Sequence, residues 1–459
     1  MKTFHSLAIQ HMENFIFGHS PNPLALNNGL VVGGGEVYPE LNFTLPDMLI
    51  TDQTMADVRV QYQQMIRDAC RRAVELNLTG LVVEFELLPD LTAHPNWGAE
   101  ITKILKEELS ETQQRHGLKT ALRVTPNDNR EFIKPPLLRQ GDHFEKMLQS
   151  FNLCAKAGAD MLSIESTGGK EIHDEAILNG DLAGSVFSLS VLGGRDMAFL
   201  WDRIVEISMD HQVVPASDTA CGFANTAMVL AEQRFIPRVW AALIRVLAVP
   251  RSLVAFERGA IGPGKDCGYE GPFIKAITGY PISLEGAEAA CAHLSPIGNI
   301  TKAVPDLWSN ESVQNIKLLG AMAPTVSLEQ LAYATRLMNV AAQDSMQSAR
   351  QLRDWFVASD IFTDPQAYVL NPEMVIKLSR EIISESTPYL RTRRAAQATL
   401  ACLRDANQNK ELLLSKNELR WLDHLSRQAD LLEQDEGAFI AGYKPNIDFA
   451  KIRFEEYGL

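Results

Sequence analysis

From residue 28 to about residue 300 the chain alternates short β-rich runs with amphipathic helical stretches, and this alternation narrows the choice of fold most. The strand candidates are GLVVGG (29–34), GLVVEFELL (80–88), KTALRVTP (119–126), ADMLSIES (159–166), GSVFSLSVLG (184–193), QVVPASD (212–218), SLVAFERG (252–259) and YPISLE (280–285). Helical patterns such as DHFEKMLQSFNLCAKAG lie between most of them and end in glycine, a common helix stop. Parallel strands need crossovers of this length, and strands buried on both faces read as unbroken apolar runs. Eight such units favour a closed TIM (β/α)8 barrel over an open doubly wound sheet. Beyond about residue 310 the β signal fades and the pattern becomes helical. The sequence therefore predicts an α/β barrel domain over 1–310, with an N-terminal extension, and a helical layer over 311–459 packed on it.

Composition excludes some functions. A net charge of −14 argues against nucleic acid and against anionic membrane surfaces as partners. The N-terminal stretch lacks the apolar core and small-residue cleavage pattern of a secretory signal. The longest apolar run, VWAALIRVLAVP, is broken by Arg245 and reads as too short to span a bilayer. A cytoplasmic chain follows, with its six cysteines reduced and available for metal binding or reactivity.

Two cysteines stand apart. Cys221 and Cys267 each lie in a loop, directly before a glycine and ahead of helix-like sequence, whereas Cys70, Cys154, Cys291 and Cys402 fall on apolar stripes of helices. Catalytic groups of such barrels sit at the C-terminal ends of strands. That rule collects Glu84, Glu86, Glu165, Ser166, Asp218, Cys221, Glu257, Lys265, Asp266 and Cys267 at one mouth. Glu165 with Cys221 and Cys267 would give three ligands and one open position, the pattern of a catalytic zinc. Two thiolates favour a soft or borderline metal, and Gly222 and Gly268 would let backbone N–H groups approach the sulfurs. Taken alone, the same residues also fit inert core thiols and carboxylates paired with basic neighbours. The ten histidines form no HxxxH or HxH arrangement. GAIGPGKD nearly fits a phosphate loop, but Asp266 stands where a hydroxyl residue is needed and would repel phosphate.

The segments DMLSIESTGGKEIHDEAI, ASDTACGFANTAMVLAE and GAIGPGKDCGYEGPFIKAITG closely resemble the zinc subunit of methanol–corrinoid protein methyltransferases, and the similarity runs nearly end to end. The resemblance implies a zinc-containing TIM barrel with Zn2+ on Glu165, Cys221 and Cys267. It implies transfer of the methyl group of zinc-bound methanol to the Co(I) of a cobalamin-type corrinoid, carried by a separate corrinoid-binding protein. It also implies a cytoplasmic enzyme of methylotrophic methanogens or acetogens, a homodimer of catalytic subunits within a heterotetramer. A neighbouring acid should keep a proton on the departing oxygen, with Glu84, Glu86 and Asp218 as equal candidates. Three alternatives stand beside this reading: a zinc-dependent thiol methyltransferase, transfer from another small methyl donor, and a non-catalytic scaffold for a corrinoid protein.

Overall fold

The computed structural model describes residues 2–44, 48–286, 294–313, 317–318, 320–362 and 364–459. An antiparallel hairpin comes first, β1 (His19–Ala25) with β2 (Val31–Gly34). Eight parallel strands follow: β3 (Tyr38–Thr44), β4 (Gly80–Leu87), β5 (Lys119–Pro126), β6 (Met161–Ile164), β7 (Val214–Asp218), β8 (Gly264–Asp266), β9 (Ile282–Glu285) and β10 (Leu307–Val313). Their order is β7-β6-β5-β4-β3-β10-β9-β8. Just ahead of β8, the N–H groups of Ile261 and Gly262 donate to the carbonyls of Pro215 and Ala216 on β7, each at 2.9 Å, and close the ring. The predicted eight-stranded parallel barrel is present.

Several strand assignments differ from expectation. GLVVGG contributes β2 of the hairpin rather than a barrel strand. Residues 184–193 are helical, ending in a π-helix over Phe187–Gly193 that runs into the helix Gly194–His211. Residues 252–259 belong largely to the helix Val249–Arg258. Both stretches are almost wholly buried, and a short unbroken apolar run such as LVAF in the second cannot be told from a core strand by pattern alone. In their place β3, β8 and β10 complete the barrel. Their sequences, YPELNFT, GKD and LWSNESV, carry polar residues because the barrel interior is polar at that level.

That interior is layered. At the floor Leu24, Leu26, Leu30 and Val32 of the hairpin region pack against Tyr38, Val82, Ala121, Met161, Ala216 and Leu307 of the strands, so the hairpin plugs the N-terminal end. Gly80 makes room for the plug: a Cβ there would lie 2.6 Å from Leu30 Cδ1. Above the floor Arg123 Nε donates to Glu40 Oε1 at 2.7 Å, and Arg123 Nη1 donates to Ser163 Oγ and to the Pro263 carbonyl. Both charged groups are fully buried. The third layer is the acidic mouth described below.

Helices such as Met55–Glu75 bury one face, here Val58, Tyr62, Met65, Ile66, Ala69 and Ala73, at the spacing of an amphipathic helix. Cys70, Cys154 and Cys402 lie on buried helix faces; Cys291 lies outside the described residues. Residues 238–258 are long and apolar enough to cross a membrane by composition, against the expectation from the shorter run, but this stretch is wholly buried within the protein. After β10 come the helices Ala323–Asp344, Met346–Asp360, Pro372–Ile383, Pro388–Gln408, Lys416–Asp430 and Glu436–Tyr443. The helix Pro388–Gln408 packs on Val249–Arg258. There Arg391 Nη1 meets Glu257 Oε1 at 2.7 Å, both side chains buried. Glu257, expected at a strand end in the mouth, is thus a helix residue engaged in an ion pair on the outer layer.

Candidate active site

Strand ends position the two isolated cysteines. Cys221 is the first residue of the helix Cys221–Glu232, three residues past the end of β7, and Cys267 directly follows β8. The fold brings their free thiols together: Cys221 Sγ lies 3.5 Å from Cys267 Sγ, both buried. Thr219 Oγ1 donates to Cys221 Sγ at 3.1 Å, and Cys267 Sγ donates to Glu285 Oε2 at 3.0 Å. Glu165 follows β6, half-buried, and its charge acts on Cys221. The Cys267 partner lowers the Cys221 pKa, but burial and the charges of Glu165, Glu285 and Glu270 prevail and push it up to about 12. The hydrogen bond with Cys221 and burial hold Cys267 well above the ordinary thiol value. Burial and the neighbouring carboxylates hold protons on both thiols, and a soft cation bound there would replace those two protons and meet the surrounding negative charge.

Next to the thiols lies a knot of carboxylates around one ammonium. Lys265 Nζ, from β8, pairs with Glu84, with Glu86 Oε1 at 3.1 Å and with Glu285 Oε1 at 2.8 Å. Thr125 Oγ1 donates to Glu84 Oε1 at 2.7 Å, and Asn42 Nδ2 donates to Glu86 Oε1 at 2.9 Å. Burial raises the Glu86 pKa, Lys265 opposes the rise, and Glu84 and Glu285 add to it. Glu84 and Glu86 therefore share one cluster, and Glu285 links it to Cys267.

Asp218 is placed differently. Its Oδ1 accepts the Ser166 N–H at 3.2 Å and lies 3.4 Å from Arg251 Nη2, while Oδ2 accepts Trp201 Nε1–H at 3.1 Å. Burial raises its pKa, and Arg251 and these donors counter the rise. Gly268 does not serve sulfur as expected. Its N–H donates to Asp266 Oδ1 at 2.6 Å, its φ is +78°, and a Cβ would sit 2.5 Å from Thr301 Cγ2. Glycine is needed there for backbone conformation and packing.

Sequence reasoning missed Glu285, Glu270 and Arg251. Glu285 ends a run that was recognised as a strand, so the strand-end rule would have found it. Arg251 lay hidden because its helix read as a strand. Glu270, three residues past Cys267, has no pattern to mark it. Among the described residues no group of three or more His, Cys, Asp or Glu side chains is already arranged to hold a metal ion. The donor chemistry nonetheless fits a soft cation. Two sulfurs at about 2.3 Å from one zinc must lie within about 4.6 Å of each other, and the observed 3.5 Å satisfies that.

Comparison with known proteins gives a consistent answer. The sequence profile described as methanol-cobalamin methyltransferase B subunit matches residues 1–458. The methanol–corrinoid protein co-methyltransferase of Methanosarcina barkeri (strain Fusaro / DSM 804) is 34% identical, with 100% of this chain and 99% of that protein covered. The crystal structure of the methanol:cobalamin methyltransferase complex MtaBC from Methanosarcina barkeri superposes with a TM-score of 0.94 at 33% identity, covering 100% of both chains. With agreement over the full length in profile, sequence and fold, the chain belongs to the methanol–cobalamin methyltransferase B subunit family.

Proposed function

We propose that this protein moves the methyl group of methanol to the Co(I) of a corrinoid carried by a partner protein, and that Glu165, Cys221 and Cys267 hold Zn2+ for that reaction. The pair of buried strand-end thiols 3.5 Å apart, in a chain of this family, carries the reading. When bound, zinc supplies Lewis acidity toward a hydroxyl oxygen, which eases its departure from carbon. The chain's own residues do the rest. Lys265 gathers Glu84, Glu86 and Glu285 beside the thiols and keeps the mouth from becoming purely anionic. Of the three expected acids, Asp218 is enclosed by donors, and Glu84 is more deeply buried than Glu86. Glu86, the least buried of the three, is the acid we assign to keep a proton on the departing oxygen. We place the enzyme in the cytoplasm, where free thiols persist, as a homodimer of catalytic subunits within a heterotetramer with the corrinoid protein.

The test combines metal analysis with cobalt methylation. The isolated protein carries about one zinc per chain. It forms methylcobalt from methanol and reduced corrinoid without added thiol. Cys221→Ser and Cys267→Ser lose both properties. Glu86→Gln keeps the metal and turns over at least about a hundredfold more slowly. Methylation of an added thiol, with cobalt left unmethylated, would overturn the assignment.

A further inference from the structure

The three residues assigned to the metal lie on three separate segments just past β6, β7 and β8, and the β6–β7 pairing, which ends with the Thr219 N–H donating to the Ile164 carbonyl at 3.3 Å, stops short of Glu165 and Cys221. Two consecutive residues of the helix Val249–Arg258 reach all three loops. Arg251 Nη2 donates to the Ser166 carbonyl and to Ser166 Oγ, both at 2.7 Å, beside Glu165. Arg251 Nη1 donates to the Thr219 carbonyl at 3.3 Å, and the hydroxyl of that same threonine donates to Cys221 Sγ. The guanidinium lies 4.4 Å from the centre of the Phe223 ring, two residues past Cys221. The neighbouring Ser252 donates to Glu270 Oε1 at 2.8 Å, and this oxygen also accepts the Ala220 N–H at 2.7 Å. Glu270 thereby ties the loop of Cys221 to the loop of Cys267.

Arginine suits this task as lysine does not, because its planar fork reaches two carbonyls at fixed angles. The fork is completely buried, with Asp218 as its ion-pair partner. Space is reserved for it: a Cβ on Gly193, at the end of the π-helix, would come within 3.1 Å of Arg251 Cδ. Buried ion pairs are poor sources of stability, and their best-attested use is to fix registry.

We propose that Arg251 is a positioning residue: it sets the separation of the Glu165 and Cys221 loops and thereby the metal affinity of the site. The inference rests on the metal assignment above. The test uses the full-length protein, stripped of metal and titrated with Zn2+ against a chelator and with Co2+ by absorption. The variants are Arg251→Lys and the double change Asp218→Asn with Arg251→Met, which removes both charges together. Each is expected to bind zinc about 10- to 100-fold more weakly, with altered Co2+ bands and an unchanged circular dichroism spectrum. Arg391→Met removes a buried ion pair on the same helix without touching a ligand loop. It should lower the melting temperature and leave the zinc affinity unchanged. Arg251→Lys keeps the charge opposite Asp218 and decides the question should the double variant not fold. Wild-type affinity and Co2+ bands in Arg251→Lys, or equal weakening in Arg391→Met, would overturn the positioning role alone. A wild-type protein that takes up neither metal would overturn the metal assignment and this inference together.

Discussion

Glu270 has two donors on one oxygen and, among the described residues, none on the other. Burial and the charge of Asp266 raise its pKa to about 8 against donors that pull it down. Its carboxyl therefore keeps a proton in the folded chain that the unfolded chain releases near 4.5. Between about 4.5 and 8 the folded state holds more protons than the unfolded state, so stability falls as pH rises through that window. Below the window both states are protonated and the difference vanishes. The metal-free protein should accordingly melt at lower temperature as pH climbs from about 5 to 8. Glu270→Gln should flatten that slope, and an identical slope in the variant would show that other groups carry it.

At the scale of elements, the sequence yielded the barrel and its strand count but not all of its strands. β4, β5, β6, β7 and β9 were readable because their apolar runs are flanked by clear turns. β3 and β10 were not, because their inward side chains belong to the polar layers: Glu40 and Asn42 on β3, Ser309 on β10. β8 is three residues long and polar, below what any pattern can register. The same blind spot explains the site. Cys221, Glu165, Glu84 and Glu86 stand at strand ends that could be read, whereas Cys267 follows the unreadable β8 and is marked only by its place before Gly268 in a glycine-rich loop. Arg251 escapes the strand-end rule because it lies on a helix whose apolar run reads as a strand. Glu257 on that helix is held by Arg391 of the helix Pro388–Gln408, with both groups out of water. Arg391→Met leaves the Glu257 carboxylate buried without its partner, which costs about 3–5 kcal/mol. Denaturant unfolding should show that loss, and a change below about 1 kcal/mol would mean that water reaches the pair.

Across the whole molecule the barrel axis runs from an oily floor through the Arg123–Glu40 ion pair to an acidic mouth. The floor belongs to the hairpin, so the hairpin should matter to stability although it lies far from the thiols. Leu30 is completely buried against the first residues of the strands. Leu30→Ala should destabilise the protein by about 2–5 kcal/mol through the cavity it opens. Zinc content per folded chain should stay the same, and thermal melting beside metal analysis checks both halves of that statement. The plug also sets a direction of approach: with the base of the barrel filled by apolar side chains, a small alcohol and a corrinoid carrier meet the strand-end groups from the opposite face.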